Sequence, residues 1–95
     1  MRYEWDPEKR NANWRKHRIR FEDAVRVFDD PYRNDVDVTE DEYGEERWAV
    51  IGRMDQSRLA VLFVVYTDRP PDIRRIISAR VADREDHDDY HSRLD

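Results

Sequence analysis

Apolar residues recur with helical spacing in the first third of the chain. In residues 21–28, FEDAVRVF, they fall at i, i+3, i+4 and i+7, on one face of a helix that Pro31 ends. Upstream, Asp6 and Pro7 form a helix start, because an aspartate side chain caps free backbone N–H groups and proline fits the first turn. Two N-terminal helices are therefore predicted, the first over residues 7–17.

The middle of the chain has apolar patterns typical of β-strands. Residues 34–45 alternate weakly and then become polar, which predicts an exposed strand leading to a hairpin turn near Gly44. Residues 47–54, RWAVIGRM, are typical of a half-buried strand, and DQS at 55–57 predicts a tight turn. Residues 58–66, RLAVLFVVY, form a continuous apolar run typical of a strand covered on both faces. We expect this run at the centre of a sheet.

The last third of the chain predicts one more strand and a C-terminal helix. Pro70 and Pro71 give a rigid turn, and residues 73–80, IRRIISAR, follow as a strand. Asp83 then caps a helix. With a short strand at residues 2–5, the predicted order of elements is β-α-α-β-β-β-β-α.

This order predicts an α+β fold, with an antiparallel sheet of four to five strands, two N-terminal helices and one C-terminal helix. The helices are expected mainly on one face of the sheet. The 95 residues suffice for one hydrophobic core but not for two, so a single domain spanning residues 1–95 is expected.

The composition restricts the chemistry that the chain can carry. Cysteine is absent, which excludes disulfides, thiol catalysis and cysteine-ligated metals, and fits a reducing cytoplasm. The N-terminus, MRYEWDPEKR, lacks the apolar segment of a secretion signal, and the longest apolar run has eight residues. A bilayer span needs roughly 20. A cytoplasmic protein without membrane association is expected.

The charge balance is acidic. Asp and Glu number 23 against 18 Lys and Arg, which gives a net charge of -5 and counts against nonspecific affinity for RNA or DNA. A local basic site remains compatible with this balance. Of the 18 bases 16 are Arg, the side chain suited to bidentate recognition of phosphate. The alternative is that Arg is simply the preferred cation of this chain.

Arginines on two predicted strands form the first candidate site. Because alternate residues of a strand share a face, Arg74, Ser78 and Arg80 are predicted to lie together. On the strand RWAVIGRM, Arg47 and Arg53 likewise share a face. If the register brings the arginines of both strands to one face, they form a cationic cup able to hold a phosphodiester. The alternative is a set of edge arginines in ion pairs with nearby acids.

Lys16 and His17 lie at the predicted end of the first helix. A histidine there can exchange a proton near neutral pH, which makes His17 a catalytic candidate. Cations at this position are also favoured by the helix dipole alone, so a purely structural role is the alternative.

His87 and His91 are four residues apart on the predicted C-terminal helix, a spacing that can place two imidazoles on one metal ion. The surrounding acids are typical of a solvated helix face, and no Glu lies between the histidines in the pattern of zinc proteases. We therefore expect neither a metal nor another cofactor.

Several short motifs occur in a fixed order along nearly the whole chain. They are Trp5-Asp6-Pro7 with Lys9, Asn13, Lys16-His17 and Phe21, then Gly44-Glu45-Glu46-Arg47, Ile51-Gly52 and Ile77-Ser78-Ala79-Arg80. With this set, the sequence resembles the BrnT family of type II toxin–antitoxin toxins.

The resemblance implies a RelE-like fold and a ribonuclease that inhibits translation without a metal. It also implies a partner, a BrnA-like antitoxin whose ribbon-helix-helix part binds operator DNA, with toxin and antitoxin assembled as a heterotetramer. By the same resemblance, the toxin meets operator DNA only through the antitoxin.

The resemblance also suggests site residues. The catalytic candidates are Arg80, which closes the ISAR motif, with Arg53, Arg47, Glu46 and His17, and the candidate RNA-binding residues are Arg74, Ser78 and Lys16. In metal-free cleavage a base deprotonates the ribose 2′-OH, which attacks the adjacent phosphorus. Arginines stabilise the charge on the phosphorane and an acid protonates the leaving oxygen. The general base stays open between the candidates.

The C-terminal segment departs from the family pattern. After ISAR the family usually carries Lys-Ala and a basic helix, whereas this chain has Val81-Ala82 and then six acids against two arginines in residues 83–95. Such a segment repels an RNA backbone. An alternative function is therefore a noncatalytic module of the same fold, which binds the antitoxin and takes part in DNA-bound autoregulation.

Overall fold

The structure, a computed structural model, describes residues 1–40, 45–55 and 60–94. Its elements are β1 (Arg2–Glu4), α1 (Pro7–His17), α2 (Phe21–Ala24) continued by a 3₁₀ helix (Val25–Asp29), β2 (Asn34–Asp37), β3 (Trp48–Arg53), β4 (Val61–Arg69), β5 (Ile73–Val81) and α3 (Arg84–Ser92). The predicted order of elements is confirmed. The predicted turn near Gly44 lies outside the described residues, as does most of the predicted turn at 55–57.

The five strands form one sheet in the order β1-β5-β4-β3-β2. Strands β2 to β5 pair antiparallel with their neighbours, while β1 pairs parallel with β5. The predicted α+β fold is thus confirmed, with the addition that the sheet is mixed. The direction of β1 could not be read from turn signals, because no hairpin joins it to β5. The expected central position of β4 is confirmed.

The main core lies between the sheet and the segment formed by α2 and the 3₁₀ helix. Phe21, Ala24 and Val27 are fully buried there. They pack against the sheet face that carries Val50, Leu62, Val64 and Ile76. The helical spacing of the apolar residues in FEDAVRVF therefore corresponds to the buried side of this segment, as the sequence predicted.

The third helix packs on the other face of the sheet. Tyr90 of α3 is buried against Ile51 and Val61, which alternate with the residues of the main core along β3 and β4. The prediction that helices lie mainly on one face is wrong for α3. Tyr90 is an aromatic residue within an acidic helix. Its contact with this face could not be predicted locally, because Ile51 and Val61 lie far from it in the chain.

The carboxylate of Asp30 fixes α3 to the rest of the fold. Its Oδ2 accepts hydrogen bonds from the Tyr90 hydroxyl at 2.6 Å and from the Arg53 N–H at 2.8 Å, and its Oδ1 accepts one from the Tyr32 N–H at 2.9 Å. Asp30 is itself buried. These donors compensate the cost of burying a charge, so the group holds α3, β3 and the loop after the 3₁₀ helix together.

Replacing Tyr90 by phenylalanine is expected to lower the free energy of unfolding by about 1.5–3 kcal/mol, because it removes a hydrogen bond to a buried carboxylate. Tyr32→Phe is the matched control, since Tyr32 is half exposed and reaches Asp30 only through its backbone N–H. Urea unfolding of both variants measures the difference. Equal losses in the two variants would show that Asp30 does not hold α3 in this way.

Strand β5 contains an irregularity that changes which side chains share a face. Val65 pairs with Ser78, but the next residue, Tyr66, pairs with Ile76, so Ile77 is an extra residue in β5. A bulge of this kind shifts the alternation of side chains by one position. Ser78 and Arg80 therefore lie on the face opposite to Ile76.

Candidate active site

Arg80 lies on the sheet face that carries Phe63 and Ile51, its neighbours across β4 and β3. Its guanidinium carbon is 4.1 Å from the centroid of the Phe63 ring, and its Nη1 donates to the Val81 carbonyl oxygen at 3.2 Å. Among the described residues, no acid forms an ion pair with it. The cation–π contact thus orients a guanidinium whose charge is available to an external anion.

Lys16, His17 and Ser78 come together in a groove between α1 and β5, which has a volume of about 280 Å³. Ser78 lies two residues before Arg80, on the same face of the strand. The side chain of His17 is half-buried and that of Lys16 is exposed. The structure therefore brings one candidate proton carrier, one cation and one hydroxyl to the edge of the strand that carries Arg80.

Arg53 shares the face of Arg80, because Ile51 stands two residues before it in β3 and aligns with Phe63 and Arg80. That part of the prediction is confirmed. Its guanidinium lies 5.4 Å from the Tyr90 ring and is covered by α3. The Arg53 side chain therefore contacts Tyr90 of α3, in addition to lying on the same sheet face as Arg80.

Glu46 and Arg47 lie just before β3, at the end of the strand remote from Arg53. The Glu46 carbonyl oxygen accepts a hydrogen bond from Thr67 Oγ1 at 2.7 Å, and the Arg47 carbonyl oxygen accepts one from the Val38 N–H at 2.9 Å. Arg47 and Arg53 are six positions apart in the chain, which is roughly 20 Å along a strand. The predicted compact cup of Arg47, Arg53 and Arg80 is therefore wrong.

Arg74 does not lie with Ser78 and Arg80, and the predicted grouping of these three residues is wrong. The extra residue Ile77 places Arg74 on the opposite face. Its guanidinium is 4.5 Å from the rings of both Phe28 and Tyr66 and forms two hydrogen bonds with the carboxylate of Asp68. These contacts neutralise and orient Arg74 on the sheet face away from Arg80.

Asn13 holds the two parts of the candidate site together, and the sequence did not place it among the site residues. The residue is 7% exposed. Its Nδ2 donates to the Ala79 carbonyl oxygen at 2.8 Å and to that of Ile19 at 3.0 Å, and its Oδ1 accepts from the Ala79 N–H at 3.0 Å. Since Ala79 lies between Ser78 and Arg80, one amide joins α1 to the strand of the site. The only sequence signal was its position within the motif set.

This contact also protects an open strand edge. β1 pairs only with residues 73–75 of β5, so no strand formed by the described residues lies beside the rest of that edge. Asn13 bonds to both the N–H and the carbonyl group of Ala79, as a paired strand would. The edge therefore carries α1, with its basic residues, instead of a sixth strand.

The acidic helix α3 begins close to Arg80. The Asp86 backbone N–H, hydrogen-bonded to the capping carboxylate of Asp83, holds the pKa of Asp83 below its usual value, and the charge of Arg80 acts in the same direction. The pKa of Asp86 is raised by burial and then by the charge of Asp83, while Arg80 opposes the shift. Both carboxyl groups thus lie within the electrostatic field of Arg80.

His87 and His91 contact each other on α3, with their Nε2 atoms 3.2 Å apart. This distance is that of a hydrogen bond in which one ring donates and the other accepts. Within residues 1–40, 45–55 and 60–94, no group of three or more His, Cys, Asp or Glu side chains is arranged to hold a metal ion. The spacing noted in the sequence therefore corresponds to a pair of imidazoles.

The fold and this geometry define a class of small α+β proteins with basic side chains beside one edge of a mixed sheet. The family model described as "Ribonuclease toxin, BrnT, of type II toxin-antitoxin system" matches residues 5–86, and the chain belongs to this family. The family membership that the sequence motifs indicated is confirmed. The chain is thus a BrnT-type toxin of a toxin–antitoxin system, in a family whose activity is that of a ribonuclease and whose members have an antitoxin partner.

The structure is similar to the crystal structure of the Brucella abortus ribonuclease toxin BrnT, with a TM-score of 0.69. The two sequences are 23% identical, and the match covers 88% of this chain and 99% of that one. This likeness shows a shared fold. A comparison with curated protein sequences gave no match. Among the described residues, no helix is long and apolar enough to cross a membrane.

Proposed function

We propose that this protein is an RNA endonuclease that cleaves without a metal ion and so inhibits translation in the cytoplasm. The observation that carries the proposal is the position of Arg80, which has no ion pair with a described acid and lies beside the groove of Lys16, His17 and Ser78. A guanidinium on the same strand that borders the groove of a proton carrier suits the stabilisation of a charged phosphorane.

The proposed reaction assigns a role to each group near that position. His17 takes the proton of the ribose 2′-OH, whose oxygen then attacks the adjacent phosphorus. Arg80 stabilises the negative charge that develops on the phosphoryl oxygens. The bond from phosphorus to the 5′ oxygen breaks, which leaves a 2′,3′-cyclic phosphate, and the 5′ oxygen takes up a proton from water. Because Glu46 lies at the far end of β3, His17 is the better placed of the two candidate bases.

The proposed partner is a BrnA-like ribbon-helix-helix antitoxin that covers the face of Arg80 and assembles with the toxin as a heterotetramer. Operator DNA is bound only through this antitoxin. Phe63 and Val65 lie on the same face near Arg80 and are only partly buried. An apolar surface around one cation offers a partner both contact area and a charge to neutralise.

Incubation of purified, antitoxin-free protein with RNA in the presence of EDTA tests the proposal. We expect discrete cleavage products, since the reaction uses only side chains. Intact RNA after prolonged incubation with folded protein, as judged by circular dichroism, would rule out the enzyme. The second candidate function, a noncatalytic antitoxin-binding module, would then remain.

One observation favours the second function. The carboxyl groups of Asp83 and Asp86 interact electrostatically with Arg80 and would repel an RNA phosphate there.

If RNA occupies the Arg80 position, Asp86→Asn is expected to strengthen RNA binding roughly twofold, the effect of one charge about 10 Å away in water. Asp89→Asn, on the exposed side of α3, is the matched control and should change binding less. Fluorescence anisotropy with labelled RNA measures both affinities. No difference between the variants would mean that RNA does not approach Arg80.

A further inference from the structure

The net charge of -5 conceals a separation of charge along the chain. Residues 9–20 contain six Lys and Arg, one His and no acid, whereas residues 83–89 contain five acids and one Arg. The first segment covers most of α1 and the loop after it, and the second covers the first two turns of α3. α1 lies along β5, and α3 follows directly from its end. An anionic ligand at Arg80 is therefore attracted to one side of the strand and repelled by the other.

The only two lysines of the chain, Lys9 and Lys16, both lie on α1. The side chain of neither lysine makes an ion pair or a hydrogen bond with a described residue, and both residues are exposed. Several exposed arginines outside α1 are paired, such as Arg2 with Asp72 at 3.6 Å and Arg69 with Glu4 at 3.6 Å. The two lysines of α1 are thus distinguished by position and by the lack of a neutralising partner among the described residues, whereas Arg10 on the same helix is paired with Glu22.

Both lysines line the groove between α1 and β5. They are seven residues apart, about two helical turns, so they project from one face of α1 roughly 10 Å apart along its axis. Between them the groove is lined by the apolar side chains of Ala12 and Ile77, and Ser78 lies on the side of Arg80. An apolar surface between two free ammonium groups suits a nucleic-acid strand. The bases can pack on the apolar side chains, and the ammonium groups can neutralise the phosphates.

We propose that this groove binds single-stranded RNA, with Lys9 and Lys16 on successive phosphates, and that the strand leaves Arg80 along α1 and away from α3. The inference rests on the proposed function and adds the path of the substrate. It also accounts for RNA binding by an acidic protein, because the strand follows the acid-free segment.

The test uses a fluorescent, 2′-O-methylated RNA oligonucleotide, which cannot be cleaved because its 2′ oxygen carries no proton. Its affinity for the full chain is measured by anisotropy over a series of salt concentrations. Each phosphate contact contributes about 0.7 to the slope of log K against log salt for a single strand. We expect the double variant Lys9→Gln/Lys16→Gln to lower the magnitude of this slope by about 1.4, with about tenfold weaker binding at low salt.

The matched control is Arg2→Gln/Arg69→Gln, which changes the net charge by the same amount away from the groove. Its slope is expected to equal that of the wild type. Equal losses in the two double variants would overturn the proposal, because net charge alone would then explain them. Unchanged RNA binding by the lysine variant, with weaker antitoxin binding, would also overturn it and assign the groove to a protein partner.

The experiments distinguish an error in the proposed RNA-binding groove from an error in the proposed ribonuclease activity. If the wild type does not cleave unmodified RNA but the lysine variant shows the smaller slope, the proposed enzyme fails and the RNA groove stands. If cleavage occurs but the slope is unchanged, the enzyme stands and the groove fails. Unchanged melting temperatures are expected for both double variants, since all four side chains are exposed.

Discussion

Arg80→Ala is expected to reduce the rate of RNA cleavage by about 10²–10³-fold, the usual effect of removing one group that stabilises transition-state charge. The loss of the contact with Phe63 is expected to cost only about 0.5–1 kcal/mol of stability. The measurement is single-turnover cleavage by folded, antitoxin-free protein. Arg80→Lys should recover part of the rate, because it keeps the charge but lacks the planar fork of the guanidinium.

Arg74→Gln is the matched control, since both arginines lie on β5 but on opposite faces. Its expected effect is on stability, through the lost contacts with Asp68, Phe28 and Tyr66. Cleavage per folded molecule should stay near the wild-type rate. If Arg74→Gln and Arg80→Ala reduced that rate equally, the assignment of the chemistry to the Arg80 face would be wrong.

The elements of the fold could be predicted because their signals are local. Asp6 and Asp83 cap the helices that they were predicted to cap, with their side chains accepting from the backbone N–H groups of Glu8 and Asp86. The period of the apolar residues likewise identified the buried segment 21–28. Such patterns depend on residues within one or two helical turns in the sequence, so tertiary packing does not change them.

The bulge at Ile77 could not be predicted in the same way. The alternation of Arg74, Ser78 and Arg80 is a correct inference for a regular strand, and one extra residue reverses it for Arg74. The position of that residue is set by pairing with Val65 and Tyr66 across β4, so it is a property of two strands together.

The candidate site was predicted in part. The shared face of Ser78 and Arg80 follows from strand geometry. Lys16 and His17 were already candidates from the sequence, and the structure shows that α1 brings them to the same groove as Ser78. The wide separation of Arg47 from Arg53 follows from the rise per residue alone, so the sequence already contained the reason why no compact cup forms. The role of Asn13 required the tertiary structure, because its partners Ile19 and Ala79 are 6 and 66 residues away in the chain.

Asn13 is accordingly the second position where a large effect is expected. Asn13→Ala should lower the free energy of unfolding by about 2–4 kcal/mol, because it leaves the buried backbone groups of Ala79 and Ile19 without their partners. It should also reduce cleavage per folded molecule, since it separates the helix of His17 from the strand of Arg80. Chemical unfolding and single-turnover cleavage measure the two effects separately.

Tyr66→Phe provides the comparison for Asn13→Ala. It removes one hydrogen bond, from the Tyr66 hydroxyl to Asp35 at 2.7 Å, on the sheet face away from Arg80. Stability should fall while cleavage per folded molecule stays unchanged. In Asn13→Ala we also expect faster hydrogen exchange at the Ala79 amide, a readout that does not depend on activity. A loss of cleavage that simply followed stability in both variants would show that Asn13 has no positioning role and acts only as part of the core.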